Sequence, residues 1–208
     1  KKKLQTITDN NHRSPCLSVV LVGDDPASQV YVNHKQKACE KVGMISQVTR
    51  LDRDTQQSQL IQLVEQLNEN PEVDGILVQL PLPRHIDSFS IISRISPIKD
   101  VDGLTATNQG LLALNVPQHV PCTPLGIMKL LQSTSVSLTG CQACVIGRST
   151  LVGSPVARLL TQANATVTQL HSKTQDSAKL CSEADVLVVA AGIHNLVDDS
   201  WVKEGAVV

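Results

Sequence analysis

The chain has 208 residues, 41% of them apolar and 18% charged, the balance of a soluble globular protein long enough to bury a core. A formal net charge of −1 argues against a nucleic-acid or membrane-surface binder, which needs a concentrated basic face. No apolar run reaches the length of a membrane span and no secretory leader follows the charged start, so a cytoplasmic setting is expected.

Lys1, Lys2 and Lys3, the only positive run, are expected to be a solvated terminus. CLSVVLVG (16–23) reads as a buried strand. PASQVYVNHKQKACEKVG (26–43) reads as a helix, with Pro26 near its start and Gly43 at its end. SQVTRLD (46–52) is a second strand, and SQLIQLVEQLNEN (58–70) a helix with Leu60, Leu63, Val64 and Leu67 on one face, stopped by Pro71. DGILVQLPLP (74–83) is a third strand, apolar without alternation, as in a parallel strand covered on both faces.

After a polar stretch, TPLGIMKLLQSTSV (123–136) predicts a long helix with Thr123 as N-cap and Pro124 in the first position. QACVIG (142–147), ATVTQL (165–170) and DVLVVAAG (185–192) are strands, separated by helices over 154–164 and 176–184, and GAVV (205–208) begins another strand. Alternating β and α units predict an α/β protein with parallel sheets and right-handed crossovers. Two lobes are expected: residues 1–122 as a parallel-sheet substrate lobe, and 123–208 as a linking helix plus a Rossmann-like nucleotide lobe. Because the sequence stops inside a strand, the second lobe is expected to lack a C-terminal portion. Six cysteines without framework spacing suit reduced thiols, and the lone CxxC of Cys141 and Cys144 reads as packing rather than metal or redox chemistry.

In the second lobe, CVIGRSTLVGSPVARLL (144–160) runs from strand through a glycine turn into a helix. Gly147 ends the strand, Gly153 precedes the helix, Ser154 is a candidate N-cap and Pro155 a candidate first-turn residue. Small residues feeding a helix N-terminus suit a pyrophosphate, which needs close backbone approach and free N–H groups in a positive dipole. The spacing is not GxGxxG, so a tight βα turn without ligand stays open. NAD enzymes place an acid at the end of the next strand, but here that strand ends in His171, Ser172, Lys173 and Thr174. Arg148 with Ser172 suits a 2′-phosphate, pointing to NADP; a solvated loop arginine is the alternative.

In the first lobe, Gln79 interrupts the apolar residues 76–78 near a strand's carboxyl end, where a buried amide needs a ligand or a catalytic side chain as partner. Asp100 and Asp102 lie in a loop closed by Gly103, a spacing that also fits ordinary turn formers. Tyr31, the single tyrosine, and Lys35 share a helical face, and a partly desolvated lysine beside a phenol can transfer protons. Spacing alone equally allows an exposed lysine. A short-chain dehydrogenase also uses YxxxK, but there the glycine loop comes first; here it follows, which excludes that family.

Taken in order, VGDDPASQVYVNHKQKACEKVG, DGILVQLPLP, KDVDG with the following NQG, PCTPLGI, GRSTLVGSPVA, ATVTQLHSKT and EADVLVVAAG resemble one family. It is the bifunctional methylenetetrahydrofolate dehydrogenase/methenyltetrahydrofolate cyclohydrolase family, in its NADP-using bacterial or cytosolic form, and the resemblance spans nearly all of 16–208. It implies oxidation of 5,10-methylenetetrahydrofolate with NADP, then hydrolysis of the methenyl product to 10-formyltetrahydrofolate, in one-carbon metabolism and purine biosynthesis. It further implies Lys35 as the catalytic lysine, with Gln79 hydrogen-bonded beside it, Tyr31 packing on the folate and Asp102 binding the pterin. Gly147, Arg148, Ser149, Gly153, Pro155, Ser172 and Gly192 fall on cofactor positions, no metal is implied, and the family pairs as a homodimer through its nucleotide lobes. Tetrahydrofolate derivatives are the expected partners, with no nucleic acid and no membrane. The GIHNLV segment departs from the family pattern by lacking a proline after the glycine, and His194 reads as a loop residue. Members also carry an N-terminal helix and a C-terminal loop and helix not recognisable here. A shikimate-dehydrogenase-like oxidoreductase and a non-catalytic folate- or nucleotide-binding module are the rivals.

Overall fold

A computed structural model describes residue 6 and residues 13–208, so Lys1, Lys2 and Lys3 lie outside the described residues. The chain divides into two compact units, residues 1–101 and 102–208. Among the described residues no helix is long and apolar enough to cross a membrane.

The first unit orders β1 (Cys16–Val22), α1 (Pro26–Val42), β2 (Ile45–Leu51), α2 (Gln57–Glu69), β3 (Gly75–Val78) and the short α3 (Ser88–Ile92). Its strands form a parallel sheet in the order β2-β1-β3. Central β1 is buried along almost its whole length, whereas β2, at an edge, exposes Ile45, Gln47 and Arg50. Because the chain leaves β1 for one side and returns on the other, the carboxyl end of β1 is a switch point, where open α/β sheets gather ligands.

Helix α1 starts where its chemistry demands. The Asp25 carboxylate accepts from the Ser28 amide at 2.7 Å, and Pro26 in the first turn needs no hydrogen-bond acceptor. That amide, together with the Ser28 hydroxyl, holds the Asp25 carboxyl below the usual carboxylate range. Gly43 ends the helix at φ +90°, a left-handed conformation that glycine adopts without penalty. Val32 of α1 packs with Val19, Leu21 and Leu77 of the sheet, and α2 buries Leu60, Val64 and Leu67. The strand predicted over 74–83 stops at Val78; the Gln79 amide makes one more bond, to Val20 O at 2.9 Å, and Pro81 and Pro83 have no amide to continue the ladder. Asp74 ties the amino end of the sheet together: its carboxylate accepts from Arg13 Nη1 at 2.6 Å and from the Cys16 amide at 2.7 Å.

The second unit orders α4 (Ala106–Ala113), α5 (Cys122–Gln132), β4 (Gln142–Ile146), α6 (Gly153–Gln162), β5 (Thr166–Leu170), α7 (Ser177–Ser182) and β6 (Val186–Val189). Its parallel sheet runs β5-β4-β6. Residues 205–208 contribute a single parallel bridge, Val207 with Val186, rather than a full strand. One core cluster joins Met128 and Leu131 of α5 to Val145, Val156, Leu160 and Val186; another holds Cys144, Ile146, Leu170, Cys181 and Leu187. The helix predicted over 123–136 begins at Cys122, with Pro121 rather than Thr123 at its cap position, and ends at Gln132, four residues short of the predicted end.

Five of the six cysteines are buried and Cys122 is exposed. Cys144 and Cys181 face each other with sulfurs 3.5 Å apart, and burial, with the Cys181 contact, pushes the Cys144 thiol up to about 12. Helices α3 and α4 both fall in the stretch that sequence patterning left without elements. Each is short and made by its cap: Asp87 accepts from the Phe89 and Ser90 amides, and Thr105 Oγ1 from the Asn108 amide.

Candidate active site

In the first unit, α1 and the end of β3 bring two of the singled-out side chains into contact. Lys35, half-buried, donates from Nζ to Gln79 Oε1 at 3.1 Å. The other end of that carboxamide is also committed, since Gln79 Nε2 donates to Leu80 O at 2.7 Å. The amide therefore cannot flip without losing both bonds, and its oxygen stays turned to the amine. Tyr31, one turn earlier on α1, is 62% exposed and presents its ring to solvent. A recess of about 440 Å³ is lined by Gly23, Asp24, Asp25, Arg53, Pro81 and Pro83 among others, with neither Lys35 nor Gln79 in its lining. Asp100, the first acid of the KDVDG loop, is buried in this unit and bridges Ile76 through its backbone.

Asp102 is half-buried and opens the second unit. The next residue, Gly103, has φ +63°, and a Cβ there would stand 2.8 Å from His119 O, so the turn carrying Asp102 requires glycine twice over.

The β4–α6 turn is equally tight. Gly147 has φ +119° and its missing Cβ would fall on the Ala190 carbonyl; that of Gly153 would fall on the Gly147 carbonyl. These glycines let the helix start pack directly on backbone. Ser149 closes the turn: its Oγ accepts from the amides of Val152 at 3.2 Å and Gly153 at 3.4 Å, and its carbonyl from the Ser154 amide at 3.0 Å. In this conformation those amides are taken by Ser149 rather than left free as the sequence suggested. Ser154 is not the N-cap; it lies inside α6, where its Oγ donates to Arg148 O at 3.2 Å. Pro155 is buried in the first turn, where its lacking amide costs nothing.

Arg148 and Ser172 each lie two residues beyond the registered pair Ile146 and Leu170, at neighbouring strand ends, and both are exposed. No carboxylate stands at the end of β5, where His171 instead accepts from the Lys173 amide at 3.1 Å. Gly192, exposed at φ +65°, follows β6, and His194 lies in the adjoining turn. Two residues stood only inside quoted motifs, with no role of their own. Gln169 donates from Nε2 to Gly147 O at 3.0 Å and to Ser154 Oγ at 3.3 Å. Gln109 donates to Gly103 O at 2.7 Å and to Thr150 O at 3.4 Å. Both act mostly on backbone carbonyls, which leave no pattern in a linear reading.

The family model described as tetrahydrofolate dehydrogenase/cyclohydrolase, catalytic domain, matches residues 1–102, and its NAD(P)-binding domain matches residues 121–208. The chain belongs to the tetrahydrofolate dehydrogenase/cyclohydrolase family. The bifunctional protein FolD of Campylobacter hominis is 55% identical over 194 residues, 93% of this chain and 68% of that protein. Among solved structures, the bifunctional enzyme FolD from Campylobacter jejuni, a methylenetetrahydrofolate dehydrogenase/cyclohydrolase, superposes with a TM-score of 0.94 at 45% identity, covering 99% of this chain and 73% of that one. The Trypanosoma brucei enzyme, complexed with NADP cofactor and inhibitor, gives 0.93 at 37% identity over 97% of this chain and 70% of that one. A shikimate 5-dehydrogenase from Thermus thermophilus, at 15% identity and a TM-score of 0.57 over 91% of this chain and 76% of that one, shares the fold alone. In this family's terms the glycine turn, Arg148 and Ser172 lie within the NAD(P)-binding domain, and Lys35 and Gln79 within the catalytic domain.

Proposed function

We propose that the chain oxidises 5,10-methylenetetrahydrofolate to the 5,10-methenyl cation with NADP, and hydrolyses that cation to 10-formyltetrahydrofolate. Family membership supports the reaction class, and the hydrogen bond from Lys35 Nζ to Gln79 Oε1 carries the assignment of its chemistry. Bound NADP supplies the hydride acceptor, leaving the protein to bind, orient and move protons.

Hydration of the methenyl carbon forms a C–O bond and gives up one proton; as one C–N bond then breaks, the nitrogen takes a proton on the electron pair left to it and the carbinol oxygen loses its own proton to solvent to become the formyl C=O, so one proton is released overall. The Lys35 amine takes the first proton and returns it to the nitrogen. Gln79 fixes the position of that amine by accepting one of its N–H groups. The Tyr31 ring packs on the folate, and Asp102 accepts the adjacent donors of the pterin edge in parallel.

On the cofactor side, Gly147 and Gly153 allow close backbone approach to the pyrophosphate, with Ser149 and Pro155 shaping the turn and Gly192 giving room beside the nicotinamide. Arg148 and Ser172, at neighbouring strand ends with no acid among residues 171–174, suit the 2′-phosphate and hence NADP over NAD. We further propose a cytoplasmic homodimer pairing through the nucleotide-binding units, acting in one-carbon metabolism. The test is an optical assay on the purified protein with methylenetetrahydrofolate, comparing NADP with NAD and following both reduced cofactor and methenyl decay. Expected are reduction preferring NADP and enzymatic hydrolysis; neither reduction nor hydrolysis would overturn the reading.

A further inference from the structure

Helix α4 carries a side chain that neither reaction uses directly, yet it touches the backbone of two loops that do. Gln109 is half-buried, and its single amide nitrogen donates to Gly103 O at 2.7 Å and to Thr150 O at 3.4 Å. Gly103 is the glycine next to Asp102, already immobilised by its left-handed φ and by His119 and Pro121 behind it. Thr150 sits in the glycine turn, directly after Arg148 and Ser149. The helix that bears Gln109 is itself anchored: Thr105 caps its start, and Gln162 of α6 donates to Leu112 O at 2.8 Å near its end. Movement of either loop therefore strains one carboxamide held by the other.

We propose that Gln109 is a positioning residue that links the pterin-binding turn to the nucleotide-binding turn, so that folate and NADP each tighten the binding of the other. The inference rests on the functional reading above. Each ligand draws one loop into its bound position, and the shared amide carries part of that ordering to the second loop. Linkage requires the effect to be reciprocal: the factor by which folate improves NADP binding equals the factor by which NADP improves folate binding.

The experiment measures the NADP dissociation constant with and without saturating tetrahydrofolate, which lacks the one-carbon unit and does not react. In the wild type the ratio exceeds one. Gln109→Met keeps the length of the side chain and removes both N–H groups; the ratio is expected to fall by about five-fold, the factor of one neutral hydrogen bond, with little change in thermal unfolding. Gln109→Lys restores a donor in reach of the two carbonyls and is expected to recover most of the ratio, which a merely space-filling role would not produce. If Gln109→Met does not fold, Gln109→Glu, isosteric and without a donor, takes its place. A ratio unchanged in the donorless variant, or a lysine variant no better than methionine, overturns the role of Gln109. A wild type that binds neither ligand overturns the functional reading itself.

Discussion

Adding one methyl group at Gly153 tests how tightly the nucleotide turn is built. In Gly153→Ala the new Cβ falls on the Gly147 carbonyl and stands 2.9 Å from Arg148 N. Every one of these neighbours is backbone, so no flexible side chain can give way. Alanine is the better helix former by up to about 1 kcal/mol, which alone would stabilise α6. Overpacking against fixed atoms costs about 1–3 kcal/mol, so the clash outweighs propensity and the net loss is about 1–2 kcal/mol. Relief requires α6 and the turn to part by roughly 1 Å, taking Arg148 and Ser149 out of place and lowering NADP affinity by roughly 10- to 100-fold. Gly126→Ala is the control: this glycine lies within α5 with nothing near its missing Cβ, so the substitution should stabilise by about 0.5–1 kcal/mol and leave NADP binding untouched. Thermal unfolding and cofactor titration on both variants decide the matter. Wild-type stability and affinity in Gly153→Ala would refute the close approach.

Lys35→Met removes the proposed proton carrier, and the hydrolysis of methenyltetrahydrofolate should fall by roughly 10²- to 10⁴-fold while NADP still binds; normal hydrolysis by this variant would exclude Lys35 from the chemistry. Arg148→Ala deletes the proposed charge-assisted contact to the 2′-phosphate, so NADP should weaken roughly 10- to 100-fold and NAD hardly at all, measured by titration with both dinucleotides. The Arg13 side chain, helped by the Cys16 amide, holds the Asp74 carboxyl below the usual carboxylate range. Its folded-state value is thus lower than its unfolded one, so its stabilisation is present above the ordinary carboxylate range and is lost as pH falls through the folded value. Asp74→Asn should flatten that part of an unfolding profile taken from pH 7 down to about 3; because both partners are substantially exposed, the effect is under about 1 kcal/mol.

The six strands of the described residues and their parallel alternation were legible in the sequence, because buried parallel strands read as short apolar runs bounded by glycine, proline and polar residues. The glycine turn was legible too, since Gly147 and Gly153 mark backbone contact wherever they occur between strand and helix. What failed were elements with too few residues to show a period. Helix α3 has five residues and α4 eight, and each depends on one capping side chain. The Ser154 cap failed for a related reason: Ser149, reaching forward from the loop, satisfies the amides that Ser154 would have served. Gln79 was legible as an amide in need of a partner, yet nothing in linear spacing singles out Lys35, 44 positions earlier, as that partner. Gln109 and Gln169 were legible only as letters inside the NQG and ATVTQLHSKT motifs and were given no role, because a glutamine looks like solvated surface until the fold sets carbonyls before it.

The distribution of sulfur has a practical side. Burial raises the thiols of Cys16, Cys39, Cys141, Cys144 and Cys181 above their ordinary range, so reagents that need a thiolate find little at these five positions. Cys122, exposed at the first turn of α5, is left as a natural handle at which a fluorophore or spin label can be attached without first stripping the chain of its other cysteines.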